Sequence, residues 1–177
     1  KGVTSISDKA FKSCKKLKNV SISNTVKNIG KYSFYGTSIE KIRIPRSVET
    51  IGAGSLCNCE SLTTVTMPGE FKVSPSNTGK NQGIMSQYNN IENIKLNTAL
   101  DISNMKYFST VNVYTWNKDS KYKSYDGVVY SKDGKTVLGM PLKRSELIIR
   151  EGCTTFDVQA VAYDSVFDDS DMFACDS

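Results

Sequence analysis

The sequence predicts a repeat solenoid, mainly β: a right-handed coil whose short strands stack into a parallel sheet, with one β-hairpin inserted late in the chain. Three observations predict it. An apolar pattern recurs at a fixed period between Val3 and Glu70, a proline closes that pattern in two of its copies, and an Asp-Gly turn separates two apolar runs further on.

The first copy reads Val3, Ile6, Ala10, Phe11, then Leu17, Val20, Ile22. The second reads Val26, Ile29-Gly30, Ser33-Phe34, then Ile39, Ile42, Ile44-Pro45, and the third Val48, Ile51-Gly52, Ser55-Leu56, then Leu62, Val65, Met67-Pro68. From Leu17 to Ile39 is 22 residues and from Ile39 to Leu62 is 23. Such a period is the signature of stacked coils, each too small to bury its apolar face alone. Within a coil the three-then-two spacing turns two side chains to one face of a short strand, the first entering from the bend before it. Pro45 and Pro68 mark the strand's exit, where a missing N–H ends ladder pairing at little cost. The Val, Ile, small residue and Phe of the next block point inward from the opposite wall. Gly30 and Gly52 suit a tight turn with positive φ.

With those residues in view, the chain resembles the BspA-like (Treponema-type) leucine-rich repeat family of surface proteins from bacteria and some protists. Residues 3–70 carry the resemblance, and Cys14 and Cys59 stand at the family's cysteine position three after the Phe. It implies a non-catalytic, extracellular or cell-surface binding or adhesion module contacting host or neighbouring-cell proteins or glycans.

The expected organisation is one leucine-rich-repeat domain over residues 1–177. Regular repeats occupy 3–70, irregular repeats with insertions 71–113, a β-hairpin insertion 114–143, and a resumed repeat with an acidic C-terminal cap 144–177. Residues 69–90 read as a loop insertion, with Phe71, Val73, Ile84 and Met85 as anchors. Ile91-Ile94-Leu96 and Phe108-Val111-Val113 restore the strand spacing, the second with much of its other wall missing. Gly127–Ser131 and Thr136–Met140 flank Lys132-Asp133-Gly134-Lys135, a strong hairpin signal. This block is similar to an element that interrupts many BspA-like proteins, with Met140 replacing an aromatic before Pro141. Leu147-Ile148-Ile149 reads as a strand, and Cys153 to Ala160 repeats the seven-residue step of Val3 to Ala10.

Composition narrows the chemistry. The chain has no histidine, which removes Ser/His/Asp and Cys/His nucleophile arrangements, His-based metal sites and the commonest general base. Ser74 to Asn81 lacks the first Gly and the Ser/Thr of a phosphate loop. No catalytic residue, metal or cofactor is expected. No apolar run approaches the roughly 20 residues that cross a bilayer. The chain opens at a repeat boundary, as a piece of a longer protein would, with no targeting signal in view. Five cysteines leave at least one unpaired. Cys14 and Cys59, two coils and about 10 Å apart, are expected as buried free thiols, and Cys57 as exposed because alternation turns it away from Cys59.

Residues 1–156 hold 23 basic side chains against 12 acidic, whereas 157–177 hold six Asp and no base. The tail reads as an acidic cap, a disordered end or a Ca²⁺-holding cluster, although the regular spacing of known calcium loops is absent. The basic body suits anionic glycans, acidic proteins or nucleic acid, or is simply a solubilising surface. On each strand the side chains between the inward ones project outward, and stacking sets them in rows: Lys18, Asn19, Ser21; Glu40, Lys41, Arg43; Thr63, Thr64, Thr66; Glu92, Asn93, Lys95; Ser109, Thr110, Asn112. These are either a ligand face or merely solvated positions. Tyr114, Trp116, Tyr122 and Tyr125 crowd between strand and hairpin, as a hot spot or as core. The candidate ligand residues are therefore Lys18, Lys41, Arg43, Thr64, Thr66, Asn93, Lys95, Asn112, Tyr114 and Trp116. The leading function is a binding module for a protein or glycan. The alternatives are a structural spacer or assembly repeat of a larger surface protein and, more weakly, an intracellular basic module that binds nucleic acid.

Overall fold

The computed structural model describes residues 2–74, 83–85, 90–108, 112–140 and 145–157. Short strands β1 (Ser5–Ile6), β2 (Asn28–Ile29), β4 (Thr50–Gly52) and β6 (Lys72–Ser74) form one parallel sheet in the order β1-β2-β4-β6. Strands β3 (Lys41–Arg43), β5 (Thr64–Met67), β7 (Asn93–Leu96) and β8 (Asn112–Tyr114) form a second parallel sheet, order β3-β5-β7-β8. Alternating chain segments thus feed two walls of one coil, which is the repeat solenoid the period predicts.

Between the walls lies a continuous apolar core. Ile29, Phe34, Ile39, Ile42 and Ile44 of one coil stack on Ile51, Leu56, Leu62, Val65 and Met67 of the next, and these on Ile91, Ile94, Phe108 and Val113. Register keeps like on like: Ile42 faces Val65, Val65 faces Ile94, and Ile94 faces Val113. The arc joining the walls is held coil to coil by backbone bonds from Phe11 N to Ser33 O, Phe34 N to Ser55 O and Leu56 N to Ile84 O, 2.8–3.0 Å. Two left-handed residues recur in each arc: Lys9, Tyr32 and Gly54, then Ser13, Gly36 and Asn58, with φ between 53° and 66°.

Gly30 and Gly52 serve a different purpose from the one their sequence position suggests. Neither has positive φ. A Cβ on Gly30 would lie 2.4 Å from Asp8 N, and one on Gly52 2.3 Å from Lys31 N. Adjacent coils approach so closely there that only glycine fits.

The first coil departs from the regular wall. Residues 17–22 make no strand, against expectation, and Leu17, Val20 and Ile22 are half-buried on the main core. Among the described residues no further coil packs on the far side of this rung, and Asn19 and Ser21 have little preference for extended pairing. Val3 accordingly stays 64% exposed where Val26 and Val48 are 2% exposed.

The same position explains the cysteines. Cys14 is exposed, not buried, because it belongs to the uncovered coil, whereas Cys59 and the equivalent Thr37 are buried. Cys57 is also buried rather than exposed: the left-handed turn at Asn58 breaks alternation and turns both thiols inward. Cys59 Sγ donates to Phe34 O at 3.1 Å, and burial pushes its pKa up. The four described cysteines, Cys14, Cys57, Cys59 and Cys153, are thiols rather than disulfides.

Residues 72–74 are a full strand rather than loop. Phe71, Ile84 and Met85 are buried and Val73 packs at the core edge, so the insertion opens after Ser74 and closes by Gly83. In the next coil a 3₁₀ helix, Ile102–Tyr107, stands where a wall strand would, and the Asp101 carboxylate accepts from Ser103 N at 3.0 Å as its cap.

The hairpin forms as read and gains two strands. β9 (Tyr122–Tyr125), β10 (Val128–Ser131) and β11 (Thr136–Gly139) run antiparallel, and β12 (Thr155–Phe156) adds parallel to β11. Leu147–Ile149 is not a strand; Ile148 is 70% exposed, and only Leu147 reaches the small core of Val128, Tyr130 and Val137. The second sheet has already ended at β8, so the segment has no ladder to join. Ser109, Thr110, Val111, Pro141, Ala160, Val161, Cys175 and the acidic tail lie outside the described residues, as does the segment from Pro75 to Asn81.

Candidate functional site

The second sheet brings eight of the ten candidate residues into two straight rows. Lys41, Thr64, Asn93 and Asn112 are consecutive register partners across β3, β5, β7 and β8. Arg43, Thr66, Lys95 and Tyr114 form the second row in the same way. The rows exist because period-two side chains on parallel strands superpose when register is preserved. Lys41, Arg43, Lys95 and Tyr114 are exposed, and the Thr and Asn side chains between them are half-buried. Lys18 is exposed but belongs to no strand, so it does not extend either row.

Charge is polarised along the strands. Glu40 and Glu92 are exposed at the strand entrances, while Arg43 and Lys95 lie toward the exits. An ion pair, Lys27–Glu49, 2.8 Å, lies on the opposite wall, where the Lys27 hydrogen bond holds the Glu49 carboxyl below its ordinary value. Lys41, Arg43 and Lys95 are exposed cations on the second sheet. Asn112 Nδ2 donates to Asn93 Oδ1 at 3.2 Å, which links the two row residues side chain to side chain.

The aromatic residues do not form one cluster. Tyr122 packs on the main core and Tyr125 on the small one, where it meets Tyr130 edge-on at 5.6 Å. Tyr114 ends the second row. Trp116 folds back so that its ring receives the Arg46 guanidinium at 5.3 Å. Arg46 is a residue the sequence reading missed: it follows Pro45 off the end of β3, and nothing local in the sequence links it to a ring 70 positions on.

Supports beneath this end are explicit. Val113 N donates to Gly127 O at 2.9 Å and Thr115 N to Ser124 Oγ at 3.1 Å, which seats the hairpin against β8. The buried Asp119 carboxylate accepts from Leu100 N, Lys121 N and Tyr122 N at 2.8–3.1 Å, and Asp119 N donates to Trp116 O. At the other edge Asn97 Nδ2 donates to Ile44 O at 3.0 Å. The arrangement can hydrogen-bond and attract anions; among the described residues no three His, Cys, Asp or Glu gather as metal ligands. No helix among the described residues is long and apolar enough to cross a membrane.

Comparisons with known proteins bear on the fold. Residues 1–84 match the family model of the BspA type leucine rich repeat region, in six copies. A comparison with curated proteins found no match. Among solved structures, the pneumococcal vaccine antigen PcpA is similar at 18% identity and a TM-score of 0.54, over 89% of this chain and 40% of that one. A leucine-rich repeat protein from Eubacterium ventriosum is 21% identical over 91% of this chain and 37% of its own, TM-score 0.46. A leucine rich cell surface protein from Faecalibacterium prausnitzii is 20% identical over 89% and 55%, TM-score 0.31. This chain therefore spans well under two thirds of each of these proteins.

Proposed function

We propose that this chain, whose residues 1–84 are BspA-type leucine-rich repeats, is a non-catalytic binding module of a cell-surface protein, and that the β3-β5-β7-β8 sheet is its ligand face. The observation that carries the reading is the register that aligns Lys41, Thr64, Asn93 and Asn112 beside Arg43, Thr66, Lys95 and Tyr114. A rigid ladder holds these groups at fixed spacing, so a ligand meets them without ordering them first. The ligand is a protein or glycan outside the cell. The resemblance of residues 1–84 to BspA-type repeats of surface proteins supports the location.

Reversing charge with Lys41→Glu, Arg43→Glu and Lys95→Glu tests it. All three side chains are exposed and outside the core, so the melting temperature should hold while attachment to cells or extracellular matrix falls. Unchanged attachment would instead favour the second reading, a spacer or assembly repeat. That reading draws on the uncovered first coil, whose Val3 and Phe11 are exposed while their equivalents in later coils are buried.

A further inference from the structure

We infer that the ligand face takes an anionic polysaccharide, one carrying carboxylate or sulfate groups along a hydroxyl-rich chain, bound across the strands toward Trp116. The inference rests on the face being the binding surface at all, as proposed above.

The outward side chains on this face lack what a protein partner uses. Protein interfaces have an apolar centre with aromatic or aliphatic anchors in desolvated pockets. Neither row contains an aliphatic side chain, and the one exposed ring, Tyr114, stands at an end rather than at the centre. What the rows hold is a lattice of neutral hydrogen-bonding groups between cations, which is the complement of a chain with many hydroxyls and periodic negative charge.

Geometry adds to composition. Arg43 and Lys95 are two strands apart with Thr66 between them, so their anchoring points are separated by roughly 10 Å across the ladder. A chain crossing the strands thus meets cation, hydroxyl, cation, ring in turn. Arg43 can engage a carboxylate or sulfate with two parallel N–H bonds, Lys95 as a point charge. Thr64, Thr66 and the Asn93–Asn112 amide pair supply neutral hydrogen-bonding groups for hydroxyls between the cations. At the end of the row Tyr114 presents a ring for a pyranose face, and Arg46 is held against Trp116 as a third cation. Glu40 and Glu92, at the opposite ends of the strands, repel the same ligand from the entrance side and fix which edge it follows.

The test uses the 177-residue chain and three probes: a chondroitin sulfate hexasaccharide, the same hexasaccharide desulfated and carboxyl-reduced, and a polyglutamate peptide of matched charge. Binding is followed by fluorescence anisotropy over a salt series. The sulfated sugar is expected to bind, the neutral one at least tenfold more weakly, and polyglutamate more weakly than the sulfated sugar. Arg43→Ala with Lys95→Ala should weaken the sulfated sugar at least tenfold and flatten the salt dependence, as loss of about two charge contacts does for a polyanion. Lys15→Ala with Lys16→Ala, exposed cations away from the sheet, should stay within twofold. Polyglutamate binding as tightly as the sulfated sugar, with the same dependence on Arg43 and Lys95, overturns the polysaccharide and leaves the face standing. Absent binding of the sulfated sugar overturns the polysaccharide too. Equal losses in both double variants overturn the face itself.

Discussion

Pro68 removes a hydrogen bond from the second sheet and Asn97 replaces it from a neighbouring coil, a substitution that can be measured. In this ladder every second carbonyl points at the following strand and accepts from the residue one beyond its partner, as Met67 O does from Asn97 N at 2.9 Å. Ile44 is the register equivalent of Met67, so Ile44 O should accept from position 68, where proline has no N–H. The buried Asn97 amide supplies the donor instead. Asn97→Ala leaves a buried carbonyl unsatisfied, at a cost of about 1–3 kcal/mol. It also removes Asn97 Oδ1, which is buried with no partner among the described residues, so the single variant alone understates the bond. A cycle with Pro68→Ala separates the two effects. The backbone N–H that Pro68→Ala restores can donate to Ile44 O directly, while the Oδ1 contribution and the proline's effect on the unfolded chain cancel across the cycle. We expect a coupling of about 1–2 kcal/mol by urea unfolding, Asn97→Ala being the milder in the Pro68→Ala background. A coupling within about 0.3–0.5 kcal/mol of zero, the range for independent sites, would refute the exchange of donors.

The other expectations concern coil contact, burial and the hairpin support. Gly52→Ala drives a Cβ into Lys31 backbone and should cost about 3 kcal/mol, whereas Gly36→Ala meets nothing closer than 3.7 Å and should cost about 1–2 kcal/mol for its φ of +66°. The reverse order in thermal melts would show that turn conformation, not coil approach, fixes these glycines. A disulfide reagent should modify Cys14 in the native protein, while Cys57 and Cys59 react only on unfolding; rapid native labelling of a Cys14→Ala variant at either would contradict their burial. Asp119→Asn turns an amide group toward backbone donors and leaves at least one of Leu100, Lys121 and Tyr122 N–H unpaired, about 1–3 kcal/mol. Tryptophan fluorescence should shift with it, because Asp119 N holds Trp116 O; an unchanged spectrum would separate the ring from this support.

What could be read in the sequence was what repetition encodes. Ile42, Val65 and Ile94 stand at equal places in their copies, and a solenoid turns equal place into contact, so the core and the rows across β3, β5 and β7 were legible. The register of β8 was not: Val113 rather than Val111 faces Ile94, and Tyr114 rather than Asn112 faces Lys95, because the irregular coil before it does not keep the period. What repetition does not encode was missed. Cys14 and Leu17 match their buried equivalents in type but sit on the uncovered coil, and burial depends on the neighbour, not on the residue. Cys57 depended on the sign of one φ at Asn58, which an Asn permits but does not announce. Leu147–Ile149 has a strand's composition but no open ladder beside it.

Arg46 and Trp116 were illegible for a further reason that bears on function. Both follow the last residues of their strands, where ladder register no longer dictates position, and they meet only because Trp116 folds back across the sheet's exit side. The rows are a property of the repeat, and any chain with this period can display such rows. The cation–ring pair is a property of this chain, created where the hairpin interrupts the coil after β8 and the buried Asp119 anchors the interruption. If the proposed ligand face binds as inferred, its specificity belongs to the Trp116 end. Substitutions at Arg46 and Trp116 should change which ligands bind, whereas those at Lys41 and Arg43 should change how tightly all of them do.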